Sequence, residues 1–108
     1  MELHCRLTAI GSTPVLQVSG EVDLATLPAF RDHLTRAIGL HPGESLFVDL
    51  DGVTALDDTG LGMLLGAAGR ARELDGDLLL VCTDERLLQR FATTGLDRAL
   101  AVRSTLRH

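Results

Sequence analysis

Apolar and polar positions along the chain change period several times, and each change marks an element. Leu3, Cys5, Leu7 and Ala9 alternate with polar neighbours over residues 2–9, the two-residue period of a strand with one buried side. Gly11-Ser12-Thr13-Pro14 reads as a hairpin turn and Val15, Leu16 and Val18 as the returning strand, so an antiparallel pair opens the chain. Leu27, Phe30, Leu34, Ala37 and Ile38 then recur at three- and four-residue steps, the stripe of a helix that ends near Gly39. Thr26 is placed to cap it, and Pro28 suits a first helical turn, where its missing N–H costs nothing. His41-Pro42-Gly43 breaks the helix.

Ser45 to Leu50 is apolar enough to be a strand covered on both faces, a pattern that goes with helices around it. Asp51-Gly52 reads as a turn, followed by a short Val53-Thr54-Ala55. Leu61, Leu64, Leu65, Ala68 and Ala71 give one face of a second helix, 59–73, closed by a turn at Asp75-Gly76. A strand is expected over 77–82. Thr83 or Asp84 then caps a third helix, in which Leu87, Leu88 and Phe91 point inward and which Gly95 terminates. Leu100-Ala101-Val102 makes a short last strand and 103–108 a tail. The order ββαβαβαβ describes an α/β fold, a mixed sheet with helices packed on it and turns displayed at one edge. A single domain over 1–108 is expected, because a chain of 108 residues buries about two-thirds of its unfolded surface without help from a metal or disulfide.

Composition narrows the function. A net charge of −5, with ten arginines scattered from Arg6 to Arg107 and no lysine, argues against general nucleic-acid binding, which needs a concentrated basic face. Arg86 and Arg90 sit at helical spacing on what reads as a solvated face. The three aromatics, Phe30, Phe47 and Phe91, each lie inside an apolar pattern and read as core, not as a stacking platform for bases. No apolar run approaches the roughly 20 residues of a membrane span, and the start, Met1-Glu2-Leu3-His4-Cys5-Arg6, is unlike a signal peptide, so a cytoplasmic protein is expected. Cys5 and Cys82 are then expected as reduced thiols, and the four histidines show no metal-ligand spacing with them. No cofactor or metal is implied.

Phe47-Val48-Asp49-Leu50-Asp51-Gly52-Val53 resembles the first motif of haloacid-dehalogenase-type phosphatases, with two aspartates two residues apart. Phosphoryl transfer through an aspartyl intermediate also needs a cation and further carboxylates for magnesium, and those enzymes usually supply a lysine. With no lysine in the chain, Asp49 reads instead as a residue near a strand end, and an enzyme is not expected.

The stretch that concentrates the chemistry is Leu56-Asp57-Asp58-Thr59-Gly60-Leu61-Gly62, a strand-to-helix turn. Asp57, Asp58 or Thr59 can each accept from the free N–H groups that open a helix, and negative charge is favoured there. Glycines within a helix cost roughly 0.5 to 1 kcal/mol each relative to alanine. For Gly66 and Gly69 the account is close packing; for Gly60 and Gly62 it is close approach by another protein.

This stretch, taken with Gly20-Glu21-Val22-Asp23-Leu24-Ala25-Thr26, resembles the STAS domains of bacterial anti-sigma factor antagonists over nearly the whole chain. Members of that type typically carry Asp-Ser-Ser/Thr-Gly-Leu-Gly at this turn, with the first Ser phosphorylated by a partner kinase that is itself the anti-sigma factor. The resemblance implies a partner-switching module that regulates transcription by binding a serine-kinase-type anti-sigma factor through Asp23, Asp57, Asp58, Thr59, Gly60, Leu61 and Gly62. The same family also supplies small subunits of ABC-type lipid transport systems that bind the ATPase. One departure stands out: Asp58 occupies the phosphoserine position. A carboxylate carries about one negative charge where phosphoserine carries roughly 1.5 to 2. Three readings of Asp58 follow: a helix cap, a standing imitation of the modified serine, or a switch moved to the Thr59 hydroxyl.

Overall fold

The computed structural model describes residues 2–105. Strands β1 (Leu3–Ile10) and β2 (Thr13–Val22) form the expected antiparallel hairpin, but its loop is only Gly11-Ser12, and Thr13 and Pro14 already pair with Ile10 and Ala9. Helix α1 (Leu27–Leu40), strand β3 (Ser45–Leu56), helix α2 (Asp58–Glu73), strand β4 (Asp77–Val81), helix α3 (Glu85–Thr94), a short α4 (Leu96–Ala99) and strand β5 (Ala101–Arg103) follow. The sequence pattern gives no sign of α4, and β5 includes Arg103, which that pattern assigns to the tail; residues 106–108 of the tail lie outside the described residues. The five strands lie in chain order, with β2, β3, β4 and β5 parallel.

Strand order explains where the helices go. Every crossover steps the same way across the sheet, and right-handed crossovers that never reverse direction put all their helices on one face. The buried residues of α1 to α4 accordingly share one cluster with Leu16, Val18, Leu46, Val48, Leu50, Leu78 and Leu80. Val15, Phe47, Leu79 and Val81 point the opposite way and form a separate cluster made of strand residues alone. The apolar run at 45–50 is therefore buried on both faces, but helices cover only one of them.

The main departure from the sequence pattern is β3. It does not stop at Leu50: it runs on to Leu56, and Asp51-Gly52 is part of the strand. Two register shifts against β2 explain the misreading, one between the Gln17/Asp49 and Ser19/Gly52 pairs and one between the Gly20/Val53 and Glu21/Ala55 pairs. Each inserts one extra residue into β3, a β-bulge that resets which side chain faces inward. Buried positions thus fall at Leu50, Val53 and Leu56, three apart instead of two. Gly52 is required by closeness and not by a turn. A Cβ there would lie 2.8 Å from Ser19 Cβ and 3.1 Å from the Val18 carbonyl oxygen.

Helix α2 starts where β3 ends because Asp57 caps it. Its backbone is extended (φ −87°, ψ 176°), and its carboxylate accepts from the Gly60 amide at 3.1 Å and from the Thr59 hydroxyl at 2.5 Å. Those two hydrogen bonds, the Thr59 one foremost, hold the Asp57 carboxyl below its usual value of 3.8. Helix α3 is capped by Asp84, whose side chain accepts from the Arg86 amide, and ends at Gly95 with φ 82°. Thr83 is not the cap: its amide and hydroxyl donate to Asp51 at 2.6 and 3.0 Å.

Gly52→Ala should destabilise the fold by about 1 to 3 kcal/mol through overpacking at the first bulge, read as a lower urea midpoint with unchanged slope. A pH test follows from the cap. Because folding lowers the Asp57 pKa, its charge contributes stability in full above the unfolded value and loses it as pH falls through 3.8 and below. Asparagine still caps but does not titrate, so the stability difference between wild type and Asp57→Asn should shrink between about pH 5 and pH 3, measured by denaturation at each pH.

Candidate functional site

Strands β2 and β3 pair in parallel up to their last residues, Val22 with Leu56, so the chain leaves both at the same sheet edge. The Asp57 amide donates to the Val22 carbonyl at 3.2 Å and closes the junction. Segments 20–26 and 57–62, which share no local contact in sequence, are held side by side by this pairing. Carboxyl ends of parallel strands are where open α/β sheets place their binding surfaces.

The 20–26 segment is tied by a reciprocal pair. The Asp23 amide donates to Thr26 Oγ1 and the Thr26 amide to Asp23 Oδ1, each at 3.0 Å, while the Thr26 hydroxyl donates to the Glu21 carbonyl at 2.8 Å. Thr26 holds the N-cap position of α1, as the pattern suggests, but its hydroxyl makes no bond to the helix. Pro28 does lie in the first turn. Asp23 Oδ2 is buried with no hydrogen-bond partner among the described residues. Beside this loop Leu24 is 73% exposed, and with Leu27, Pro28, Arg31 and Met63 it rims a shallow hollow of about 200 Å³.

In the 57–62 turn the roles separate. Asp57 is the cap, so the capping reading of Asp58 does not hold: Asp58 is the first helical residue, with its side chain 89% exposed. Its Oδ1 accepts from Arg90 Nη2 at 2.8 Å, and Arg90 Nη1 donates to the Leu56 carbonyl in a short contact. Gly60 is buried: a Cβ there would lie 2.6 Å from Leu56 Cδ1 and 2.8 Å from Val22 Cγ1, so its missing side chain lets α2 sit on the strand ends. Leu61 is also buried, whereas Thr59 and Gly62 are exposed and Gly62 faces open space. A second hollow of about 210 Å³ lies beyond Asp58, lined by Leu61, Gly62, Leu65 and Leu96 among others.

Arg90 is the residue that sequence reasoning misplaces. Its spacing with Arg86 assigns it to a solvated face, yet it is half-buried and joins α3 to the 56–58 turn. One signal is available, since Arg90 follows the inward-pointing Leu87 by three residues and so shares its side of the helix.

The remaining candidates are engaged elsewhere. Of the two aspartates of the phosphatase-like run, Asp49 accepts through Oδ1 from the Asp51 amide at 3.0 Å within β3, and Asp51 accepts from Thr83 and so ties β3 to the loop after β4. They sit inside a strand, five residues or more before its end. Among the described residues no group of three or more His, Cys, Asp or Glu side chains is placed to hold a metal ion, and no helix is long and apolar enough to cross a membrane. Cys5 and Cys82 are free. Burial pushes the Cys5 thiol up to about 11 and raises that of Cys82, which keeps both protonated and poorly nucleophilic at neutral pH. The arrangement at 20–26 and 57–62 is a shaped, charged and partly apolar surface.

Comparison with known proteins agrees with this fold. Residues 4–108 match the STAS domain family. The anti-sigma-B factor antagonist of Listeria monocytogenes is 32% identical over 87 residues, covering 81% of this chain and 75% of the relative. That of Staphylococcus aureus is 30% identical over 98 residues, covering 89% and 88%. The crystal structure of an anti-sigma factor antagonist from Mycobacterium paratuberculosis superposes with a TM-score of 0.87 at 25% identity, covering 97% of this chain and 88% of that one. With a family match along almost its full length, relatives at 30% identity or more, and the same sheet and helix arrangement, this chain belongs to the STAS domain family.

Proposed function

We propose that the chain is an anti-sigma factor antagonist: it binds a serine-kinase-type anti-sigma factor in the cytoplasm and so regulates transcription by partner switching. The observation that carries this reading is the docking of segments 20–26 and 57–62 at one sheet edge, with Asp58, Thr59 and Gly62 exposed between two apolar hollows. The names of the relatives from Listeria monocytogenes and Staphylococcus aureus support it. Function here is binding and not catalysis. Asp23 and the Asp57–Asp58–Thr59 acids and hydroxyl supply the polar contacts, Gly60 and Leu61 the packing that shapes the turn, and Gly62 a bare stretch of helix for close approach.

In this reading Asp58 holds the place of the phosphorylated serine. Thr59 is the poorer acceptor, because its hydroxyl already donates to Asp57 at 2.5 Å and helps hold the cap that starts α2. Leu24 and its neighbours give the surface an apolar anchor, the kind of contact that carries binding energy at an interface.

The test uses the purified chain with the anti-sigma factor kinase of its own organism. Asp58→Ser should be labelled by the kinase with ATP on the introduced serine, while wild type, including Thr59, stays unlabelled by mass spectrometry. Capture of a transporter ATPase in place of the kinase, or no labelling of Asp58→Ser, would overturn the reading in favour of the transport-subunit alternative or against the kinase partner. Leu24→Asp should weaken binding to the kinase at least tenfold in titration calorimetry and leave the unfolding midpoint within error, since Leu24 is mostly exposed.

A further inference from the structure

We propose that Arg90 masks Asp58, so that the partner-facing turn stays close to neutral and Asp58 does not present the charge of a phosphoserine. The proposal rests on the reading of 57–62 as the partner surface and concerns how that surface is regulated. Asp58 would then be neither a cap nor a standing imitation of the modified state.

The geometry pairs a half-buried cation with an exposed acid. Arg90 uses two nitrogens of its planar guanidinium: Nη1 donates to the carbonyl of Leu56, the last residue of β3, and Nη2 to Asp58 Oδ1 at 2.8 Å. The Leu56 carbonyl is part of a paired strand end, and the Arg90 side chain is 35% exposed against 89% for Asp58. An isolated exposed ion pair contributes little, partly because two flexible chains must be ordered. Here one of them is already ordered by its second bond, and a forked guanidinium loses less freedom per hydrogen bond than a lysine would.

Neighbouring groups leave Asp58 to Arg90. Of the free N–H groups that open α2, that of Gly60 donates to the Asp57 carboxylate, which also accepts from the Thr59 hydroxyl. On α3, Arg86 lies with Asp84, and the Thr94 hydroxyl donates to the Arg90 carbonyl. Glu85 is a further acid in the first turn of α3 and offers Asp58 no attraction. Counting Asp57, Asp58, Arg90 and about half a positive charge for the helix end, the turn carries roughly −0.5. Phosphoserine in place of Asp58 would bring it to about −1 to −1.5. Removing Arg90 with Asp58 in place brings it to about −1.5 as well. Loss of Arg90 is thus electrostatically equivalent to phosphorylation, although no phosphate is added.

The test is a double-mutant cycle on the full chain, with affinity for the kinase-type anti-sigma factor and thermal midpoint measured for wild type, Arg90→Gln, Asp58→Ser and the double variant. Masking predicts that Arg90→Gln weakens binding about tenfold when Asp58 is present and less than twofold in the Asp58→Ser background, with Arg90→Lys recovering part of the loss. An equal loss in both backgrounds would mean that Arg90 contacts the partner or merely supports the fold, and would overturn the proposal; so would no loss in either. A partner-free readout separates the two levels of inference. The wild-type Arg90 guanidinium should show separate, slowly exchanging Nη signals by ¹⁵N NMR, and a freely rotating one would overturn masking on its own. If none of the four proteins binds while the guanidinium is ordered, the partner-surface reading has failed and masking falls with it, although the ion pair itself stands.

Discussion

The structure depends on the parallel pairing of β2 with β3 being kept to the last residue of both strands. Between the Val15/Phe47 and Val22/Leu56 pairs, β3 spends two more residues than β2, and both extra residues are absorbed in bulges. A strand that absorbed only one would turn its inward set to the wrong face before reaching the edge. With two, Leu50, Val53 and Leu56 stay inside, and the chain emerges beside Val22 with Asp57 in position to start α2. The placement of the proposed partner surface is therefore a matter of strand register before it is a matter of any surface side chain.

Everything at that edge is then held by backbone-directed bonds. Asp57 closes onto Val22 and caps α2; Asp23 and Thr26 lock the neighbouring loop; Arg90 reaches from α3 to the Leu56 carbonyl. Gly60 lets the helix approach the strand ends more closely than any side chain would allow. The consequence is a turn whose exposed members, Asp58, Thr59 and Gly62, have fixed positions although they themselves bury little. Such rigidity is what a protein-binding surface needs if a single charge on it is to change affinity, because a mobile loop would move the charge away.

Placing all helices on one face also divides the labour of the sheet. One face carries the main core under α1 to α4, and the other a small cluster of Val15, Phe47, Leu79 and Val81, with the Arg103 guanidinium 6.0 Å from the centre of the Phe47 ring. All three phenylalanines are spent on these interiors, as their apolar settings in the sequence suggest. The surface at the strand ends is accordingly built from short polar side chains and aliphatic ones, with no aromatic among those that line its two hollows.

The sequence by itself determined the elements with clean periods: the hairpin, the three long helices, the parallel strands at 45–50 and 77–82, and the two motifs that mark the family. Those signals are local, since periods of 2 and 3.6 report which side of a strand or helix is buried. On the proposed reading, the second motif also puts Asp58 where the family places a serine. Tertiary structure alone decided the rest. The bulges in β3 made a strand look like a strand, a turn and a fragment, because its buried residues fell three apart. Which of Asp57 and Asp58 caps α2, and whether the Thr26 hydroxyl bonds to α1, depended on backbone angles that both aspartate and threonine tolerate. Arg90 reads as a solvated surface arginine because its partners, Leu56 and Asp58, lie more than thirty residues away, and no local pattern encodes which carbonyl and carboxylate a folded chain will bring within reach of one guanidinium.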